Sequence, residues 1–559
     1  MPSSSKIFHS HKFQLVLLFF VFLLFSLWFT QSPVRQLNIM VPQGGDPFLV
    51  AWLWSWEMHQ IPITPLSLFD ANIFAPFKNT LAFTEHMLGS LLLAWPLFLI
   101  FKNIILVFNL ISLLSFAIAG LGMYLLACYL TKNKAASLVA AFIYAFAPYK
   151  INHLEHLNLT GLWLPYFFLF LHKISRDFSW KNTLCFILFS LLVFLNAMQY
   201  FLFLPLAVLF FIAVKLRLRR AGFTKEMLIK VLFIICVLLL VAIPIAIPYL
   251  SLKNDFNFER SITVIEGLSP DLFDYFISPF FYKLFYTIFS QEWAVGTGLV
   301  VLLLLVFAAR VLYRHPPQDK TKLVYCFIGL AAVLFSCGYY IQLTRADSGG
   351  LIGPWALLYN FIPGFSGIRA VGRYSIFFLL SASVVIALGL RTFFVNHLKN
   401  NKKKILVVSF FVLLFLFIEF SFAQPKRYVP VIGHPRVYDW VKAQKNANIY
   451  LEMPLGLNYL ENNWDASYEY FSIFHFKKIV NGYSGYAPKA YEELNKRLRH
   501  FDFQDDDIMI IKQYGATHLI FHFDYYMSTF KDKTINRLKD SELVKLIYQI
   551  DNDYVFEIQ

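Results

Sequence analysis

The tetrapeptide Gly44-Gly45-Asp46-Pro47 sets one carboxylate between two residues that let the backbone bend tightly and one that fixes the next turn. It lies a short linker beyond the first long apolar run, Phe13–Thr30, and is therefore expected at a membrane boundary. An acid held beside lipid headgroups keeps its proton more tightly than one in water, and can act as a base on a hydroxyl. The same four residues also make a plain turn, with Asp46 capping a helix that starts near Phe48.

Other polar groups join this acid as candidates. Glu85-His86 directly precedes an apolar run, where buried polar groups are costly and usually serve a purpose, although Thr84-Glu85 can also simply start a helix. Asp70 adds a further acid to the same loop. In Asn152-His153-Leu154-Glu155-His156 the imidazoles stand at i and i+3, on one helical face, with a carboxylate beside them. Such a set can hold a metal or a phosphate, or can merely end an interfacial helix. Arg260, and the pair Arg369 and Arg373 expected four apart on one helical face, carry forks that match phosphate oxygens and also suit snorkelling to headgroups. Asn481-Gly482-Tyr483-Ser484-Gly485-Tyr486 is a compact turn whose rings suit stacking on a sugar, and Glu452 ends a strand before Met453-Pro454. There is no GxSxG motif, Rossmann glycine pattern or P-loop, and the 5 cysteines show no CxxC spacing that would suggest a zinc site.

The elements that must position these groups are mostly apolar. Of 559 residues, 58% are hydrophobic and 15% charged, against about 45–50% and about 25% in a soluble domain. Runs such as 13–30, 104–130, 231–250, 299–312 and 405–422 carry almost no charge, and about 20 apolar residues cross a bilayer. The expected fold is a mainly α, polytopic membrane helical bundle of about 11–13 spans over residues 1–423, with a small α/β domain over 424–559. Residues 424–559 hold 17 Lys/Arg and 18 Asp/Glu, so the excess behind the net charge of +15 lies in the membrane part. There it sits between spans and sets orientation, which argues against nucleic acid as a partner. The basic runs 215–220 and 391–404 are expected inside, which puts 251–295, 342–373 and the C-terminal domain outside. Lys6 and Lys12 put the N-terminus inside and, with no Ala-x-Ala site following, suggest a retained first span. Two full crossings at 87–101 and 104–128 would then strand Lys132 and Lys134 outside, so the segment 87–101 is expected to dip in and return. The external loop 31–86 carries Trp52, Trp54 and Trp56 with Phe48 and Phe69, a set suited to the headgroup zone. In 424–559, helical patterns are expected at 437–445, 489–500 and 506–514, and strands at 447–453, 478–482 and 517–522. A hairpin is expected at 544–558.

Several of these stretches resemble the GT-C superfamily of membrane glycosyltransferases, and more closely a bacterial multi-spanning branch. They are Gly45-Asp46-Pro47-Phe48, Phe69-Asp70-Ala71-Asn72-Ile73-Phe74-Ala75-Pro76 and Phe83-Thr84-Glu85-His86. Ala147-Pro148-Tyr149 with His153 and His156, and Pro363-Gly364-Phe365 with Arg369 and Arg373, follow. Leu451-Glu452-Met453-Pro454 and Asn481-Gly482-Tyr483-Ser484-Gly485 complete the set. The resemblance implies a transferase of the cytoplasmic membrane that moves a sugar from a polyprenyl-phosphate-type donor to a glycan, lipid or protein acceptor on the outer face. Asp46 would be the base, Arg260, Arg369 and Arg373 would hold donor phosphate, and Asp70, Glu85, His86, His153 and His156 would line the site. A divalent metal, Mg or Mn, is the one cofactor it suggests. Many members carry two adjacent acids where this chain has Asp46 followed by Pro47. The alternatives are a lipid-linked-sugar transporter, for which Glu419 in the last span is the candidate acid, and a glycan-binding scaffold.

Overall fold

In a computed structural model, the residues described are 4–559 except 156–160, 217–223, 257, 279–294, 317–319, 345–349, 424, 426, 432, 456–463, 500–502 and 526–527. Among the described residues four helices are long and apolar enough to cross a membrane, Lys12–Thr30, Ile104–Thr131, Lys225–Leu252 and Val371–Asn396, and shorter apolar helices lie at Leu88–Phe101, Trp180–Asn196, Met198–Val214 and Thr321–Ser336. In hydrocarbon every backbone N–H and C=O must be paired within its own segment, and helices do this. The chain is a mainly helical multi-pass membrane protein with a small C-terminal sheet.

Two compact units divide the chain. The first comprises Met1–Arg35, Leu110–Ile245 and Phe258–Lys426. At its centre the helix Ser375–Asn396 packs on Thr321–Ser336, Leu299–Arg314 and Lys134–Phe146. One of these crossings is close because it is built from small residues: a Cβ on Gly389 would lie 2.4 Å from the Cβ of Ala308. Burial separates inner from outer spans. The most apolar part of Val371–Asn396 is 78% buried, whereas that of Lys225–Leu252 is 6% buried and presents its side chains outward as a lipid-facing helix does. Glu419, the acid of the last apolar run, is buried and accepts the N–H groups of Leu299 (2.5 Å) and Val300 (2.9 Å). It therefore caps the orphaned donors that open the helix Leu299–Arg314, where a negative charge is favoured.

The second unit comprises Gln36–Asn109, Ala246–Asn257 and Arg427–Gln559, so the first loop and the C-terminal segment share one core. Its sheet runs in the order Lys478–Ile479, Ile449–Met453, His518–His522, Asp553–Ile558, Val544–Ile550; the first three strands are parallel, and the last two join antiparallel as the expected hairpin. The first loop covers the open edge of this sheet. Ile479 N–H donates to Asn72 O (2.7 Å), Ala75 N–H to Ile479 O (3.0 Å) and Phe74 N–H to Asn481 O (3.1 Å), pairing groups that a bare edge would leave open. A second seam joins Met40–Pro42 to Tyr428–Pro430, antiparallel.

The helix Asp46–Gln60 starts with Pro47 in its first turn, where the missing N–H costs nothing, and packs on the helix Trp464–Phe471. Trp52, Trp54, Trp56, Phe48 and Phe69, expected among headgroups, are instead buried inside this unit. Trp52 Nε1 donates to Asn72 Oδ1 (3.0 Å) and Trp56 Nε1 to Leu68 O (2.9 Å), while Phe48 lies 5.3 Å from Tyr470. The correction has a simple cause. An aromatic-rich segment fits an interface with lipid or with protein equally well, and here the C-terminal segment supplies the protein face.

Candidate functional site

Asp46 stands at the first turn of Asp46–Gln60, half-buried, and its Oδ1 accepts the hydroxyl of Tyr483 at 2.9 Å. Both flanking motifs are shaped for this contact. A Cβ on Gly45 would sit 2.6 Å from the Tyr483 ring, so only glycine admits the phenol there. A Cβ on Gly482 would meet the Phe74 ring at 2.5 Å, so the turn carrying Tyr483 can lie flat on the first loop. Asn481 anchors the turn to the sheet, accepting from Glu452 N–H (2.8 Å) and donating to Glu452 O (3.0 Å). Glu469, fully buried on the helix that packs on Asp46–Gln60, accepts Tyr483 N–H at 2.6 Å. Burial pushes its carboxyl well up, with the Tyr483 N–H working against that shift. Asp465, one turn earlier, accepts from Tyr491 (2.7 Å), Asn495 (3.0 Å) and Asn481 (3.2 Å); burial raises it to about 6, and these bonds hold it from going further. Contacts thus link Asp46 to Tyr483, and the turn that carries Tyr483 to Phe74, to the strand Ile449–Met453 and to the helix Trp464–Phe471.

The other first-loop candidates have separate roles. Asp70 is exposed and accepts Asn79 N–H at 3.0 Å, a loop-closing contact. His86 is buried with its ring 6.0 Å from that of Tyr249, whose hydroxyl donates to Thr84 O (2.8 Å), and Glu85 beside it is half-buried. Glu57 went unnoticed in the sequence because it follows a run of aromatics. It is fully buried on the same helix as Asp46, neither oxygen has a hydrogen-bond partner among the described residues, and burial pushes its carboxyl well above the ordinary range. An acid three turns below Asp46 in an otherwise apolar stretch was the signal available.

The remaining candidates belong to the first unit. Arg260 lies over the Phe258 ring at 4.8 Å, its N–H donates to Ser366 O (2.9 Å), and its carbonyl accepts from Tyr359 (2.8 Å), which ties its loop to the 359–366 loop. Arg369 is exposed on an irregular stretch and Arg373 lies within the short 3-10 turn Val371–Tyr374, so the two do not share the helical face expected from their spacing; the α-helix begins only at Ser375. His153 is buried at the end of the short helix Pro148–Asn152, its Nδ1 paired with Tyr149 O at 2.7 Å. His156 lies outside the described residues. Lys150, also missed, is fully buried with its ammonium 4.8 Å from the Tyr144 ring and 5.6 Å from that of Phe116. Among the described residues no three His, Cys, Asp or Glu side chains gather as a metal-binding group.

The fold of the chain is GT-C-like. Among solved structures the chain is similar to the arabinofuranosyltransferase AftD from Mycobacteria, with a TM-score of 0.58 and 12% identity over 98% of this chain and 40% of that one. It is similar to a mutant form of AftD at a TM-score of 0.58 and 11% identity, over 97% of this chain and 41% of that one. The chain therefore spans about two-fifths of the length of AftD. No family model matches, and no curated protein matches.

Proposed function

We propose that this chain is a glycosyltransferase that moves a sugar from a polyprenyl-phosphate-type lipid donor to an acceptor at the outer face of a bacterial cytoplasmic membrane. The supporting observation is the Asp46 carboxylate, half-exposed and held through Oδ1 by Tyr483. In the proposed reaction Asp46 takes the proton of an acceptor hydroxyl, and the oxygen attacks the sugar's anomeric carbon. The bond to the donor phosphate breaks on the opposite side, and the phosphate leaves with the electron pair, inverting the centre. Of the other candidates, the arginines Arg260, Arg369 and Arg373 are proposed to neutralise a donor phosphate, and the half-buried Glu85 to contact a sugar hydroxyl. Among the described residues no metal-ligand set gathers at Asp46. The N-terminus is placed inside and the C-terminal segment outside, from the distribution of lysine and arginine.

The test is Asp46→Asn introduced into a deletion strain, with analysis of envelope glycans and lipid-linked sugars. Loss of a glycan together with accumulation of its lipid-linked precursor is expected. A wild-type profile from normally expressed Asp46→Asn protein would remove Asp46 from catalysis. The transporter alternative rests on Glu419, and the contacts of that residue to Leu299 and Val300 account for it as a helix cap.

A further inference from the structure

The second unit holds a cavity of about 530 Å³, within the usual size range of small-molecule sites, and none of the residues assigned above to catalysis or donor binding lines it. Its walls come from two segments of that unit: Ile39, Met58, His59, Phe98 and Ile105 from 36–109, and Tyr470, Phe474 and Phe476 from 427–559. The lining is mainly apolar and includes no acidic side chain. His59 stacks face to face on Phe476, centroids 3.8 Å apart and rings within 4° of parallel, which makes a flat wall. The polar groups are few: Lys102, Asn103, Asn38, Ser55, His59 and His434, with the His434 imidazole turned to Asp439 at 2.9 Å.

Its place in the chain says what could enter. Phe98 lies in the last turn of the apolar helix Leu88–Phe101 and Lys102 caps its end, while Ile104 and Ile105 open the span Ile104–Thr131. The intervening residues Leu99, Ile100 and Phe101 are exposed apolar side chains. Such side chains beside the start of a span mark the level of the hydrocarbon boundary. A mostly apolar hollow at that level, with a lysine and two amides at its polar end, matches a lipid: chain against the rings, anion against the ammonium.

We propose that this cavity is a binding site for an anionic lipid, taking the first part of an acyl or isoprenyl chain between Phe98, Ile105, Phe474 and Phe476 and the headgroup phosphate at Lys102 and Asn103. The site is separate from the donor-phosphate role proposed for the arginines and does not depend on the transferase reading.

The test uses the full chain purified in neutral detergent and native mass spectrometry, with oleoyl lysophosphatidic acid, mono-oleoylglycerol and inorganic phosphate as probes. The lysophosphatidic acid is expected to bind more tightly than the neutral glyceride, and inorganic phosphate not measurably. Lys102→Ala, at an exposed position, should weaken the acid about tenfold, as loss of one charge-assisted contact does, and leave the glyceride unchanged. Met58→Trp, which fills the hollow, should weaken both lipids. Lys545→Ala, at an exposed lysine outside the lining, should leave both as in the wild type. Lysophosphatidic acid binding that Lys102→Ala does not change, or that falls as much with Lys545→Ala, would overturn the site. Inorganic phosphate binding as tightly as the lipid would reduce it to a free-anion site and overturn the lipid assignment.

Discussion

Removing one oxygen atom separates an orienting role for Tyr483 from a packing role. Tyr483→Phe keeps the ring against Gly45 and deletes only the hydroxyl that donates to Asp46 Oδ1 at 2.9 Å. A hydrogen bond to a charged group contributes about 1.5–3 kcal/mol. Asp46 is half-buried, so solvent replaces part of it and the lower end applies, about 1.5 kcal/mol, or roughly tenfold. If Asp46 is the base and the phenol fixes its rotamer, turnover should drop roughly tenfold with little change in KM, because the bond orients a reacting group rather than holding substrate. Asp46→Asn should cost roughly 100-fold or more, the scale of a lost general base. The double variant should be no worse than Asp46→Asn alone, since the phenol then has no carboxylate to orient. Activity is read in membranes carrying each variant, and thermal unfolding of the purified chains checks that the fold is kept. Full activity in Tyr483→Phe beside an inactive Asp46→Asn would refute the orienting argument. Loss of activity in Tyr483→Leu beside full activity in Tyr483→Phe would assign the ring, not the hydroxyl.

Other outcomes follow from the same geometry. Gly482→Ala drives a Cβ to 2.5 Å from the Phe74 ring and should destabilise the chain by about 1–3 kcal/mol, read as a lower unfolding midpoint. Glu419→Gln weakens the charge at the start of Leu299–Arg314 and should cost about 1 kcal/mol in stability while the glycan profile stays normal; loss of function at full stability would favour transport. His522 donates to Asp553 (2.9 Å) and Glu452 (3.0 Å) from a buried position. Burial alone would lower its pKa, and these two carboxylates outweigh that and raise it from 6.5 to about 9. Its stabilisation is therefore complete below its unfolded value and is lost as pH rises through about 9. The unfolding midpoint should fall between pH 7 and 10 more steeply in the wild type than in His522→Gln, and parallel curves would contradict this.

Local pattern made the C-terminal elements legible, and pairing between distant segments did not. The helix read at 437–445 spans Val437–Ala443, the one at 506–514 spans Asp505–Tyr514, and the hairpin falls at Val544–Ile550 and Asp553–Ile558. Each carries its own periodicity and its own turn residues. The helices Trp464–Phe471 and Ser528–Asp540 went unread, the first because four of its eight residues are aromatic and are drawn into packing. What hid the site was sequence separation. The contact of Asp46 with Tyr483 joins residues 437 positions apart, and the edge pairing of Asn72 with Ile479 joins others just as remote. Neither has a local signature, although Gly45 and Gly482 are what such close approaches demand. Arg369 and Arg373 show the opposite error: a spacing of four implied a shared helical face, and the backbone there is irregular and then 3-10.

Transfer itself is the most direct test. Lipids extracted from a deletion strain, which should hold the unconsumed donor, are labelled in their sugar and given to the purified protein with membranes from the same strain as acceptor. The wild-type chain should carry label from the lipid fraction into glycan, lipid or protein, and Asp46→Asn at equal abundance should leave it where it began. Equal movement of label by both proteins would contradict the account.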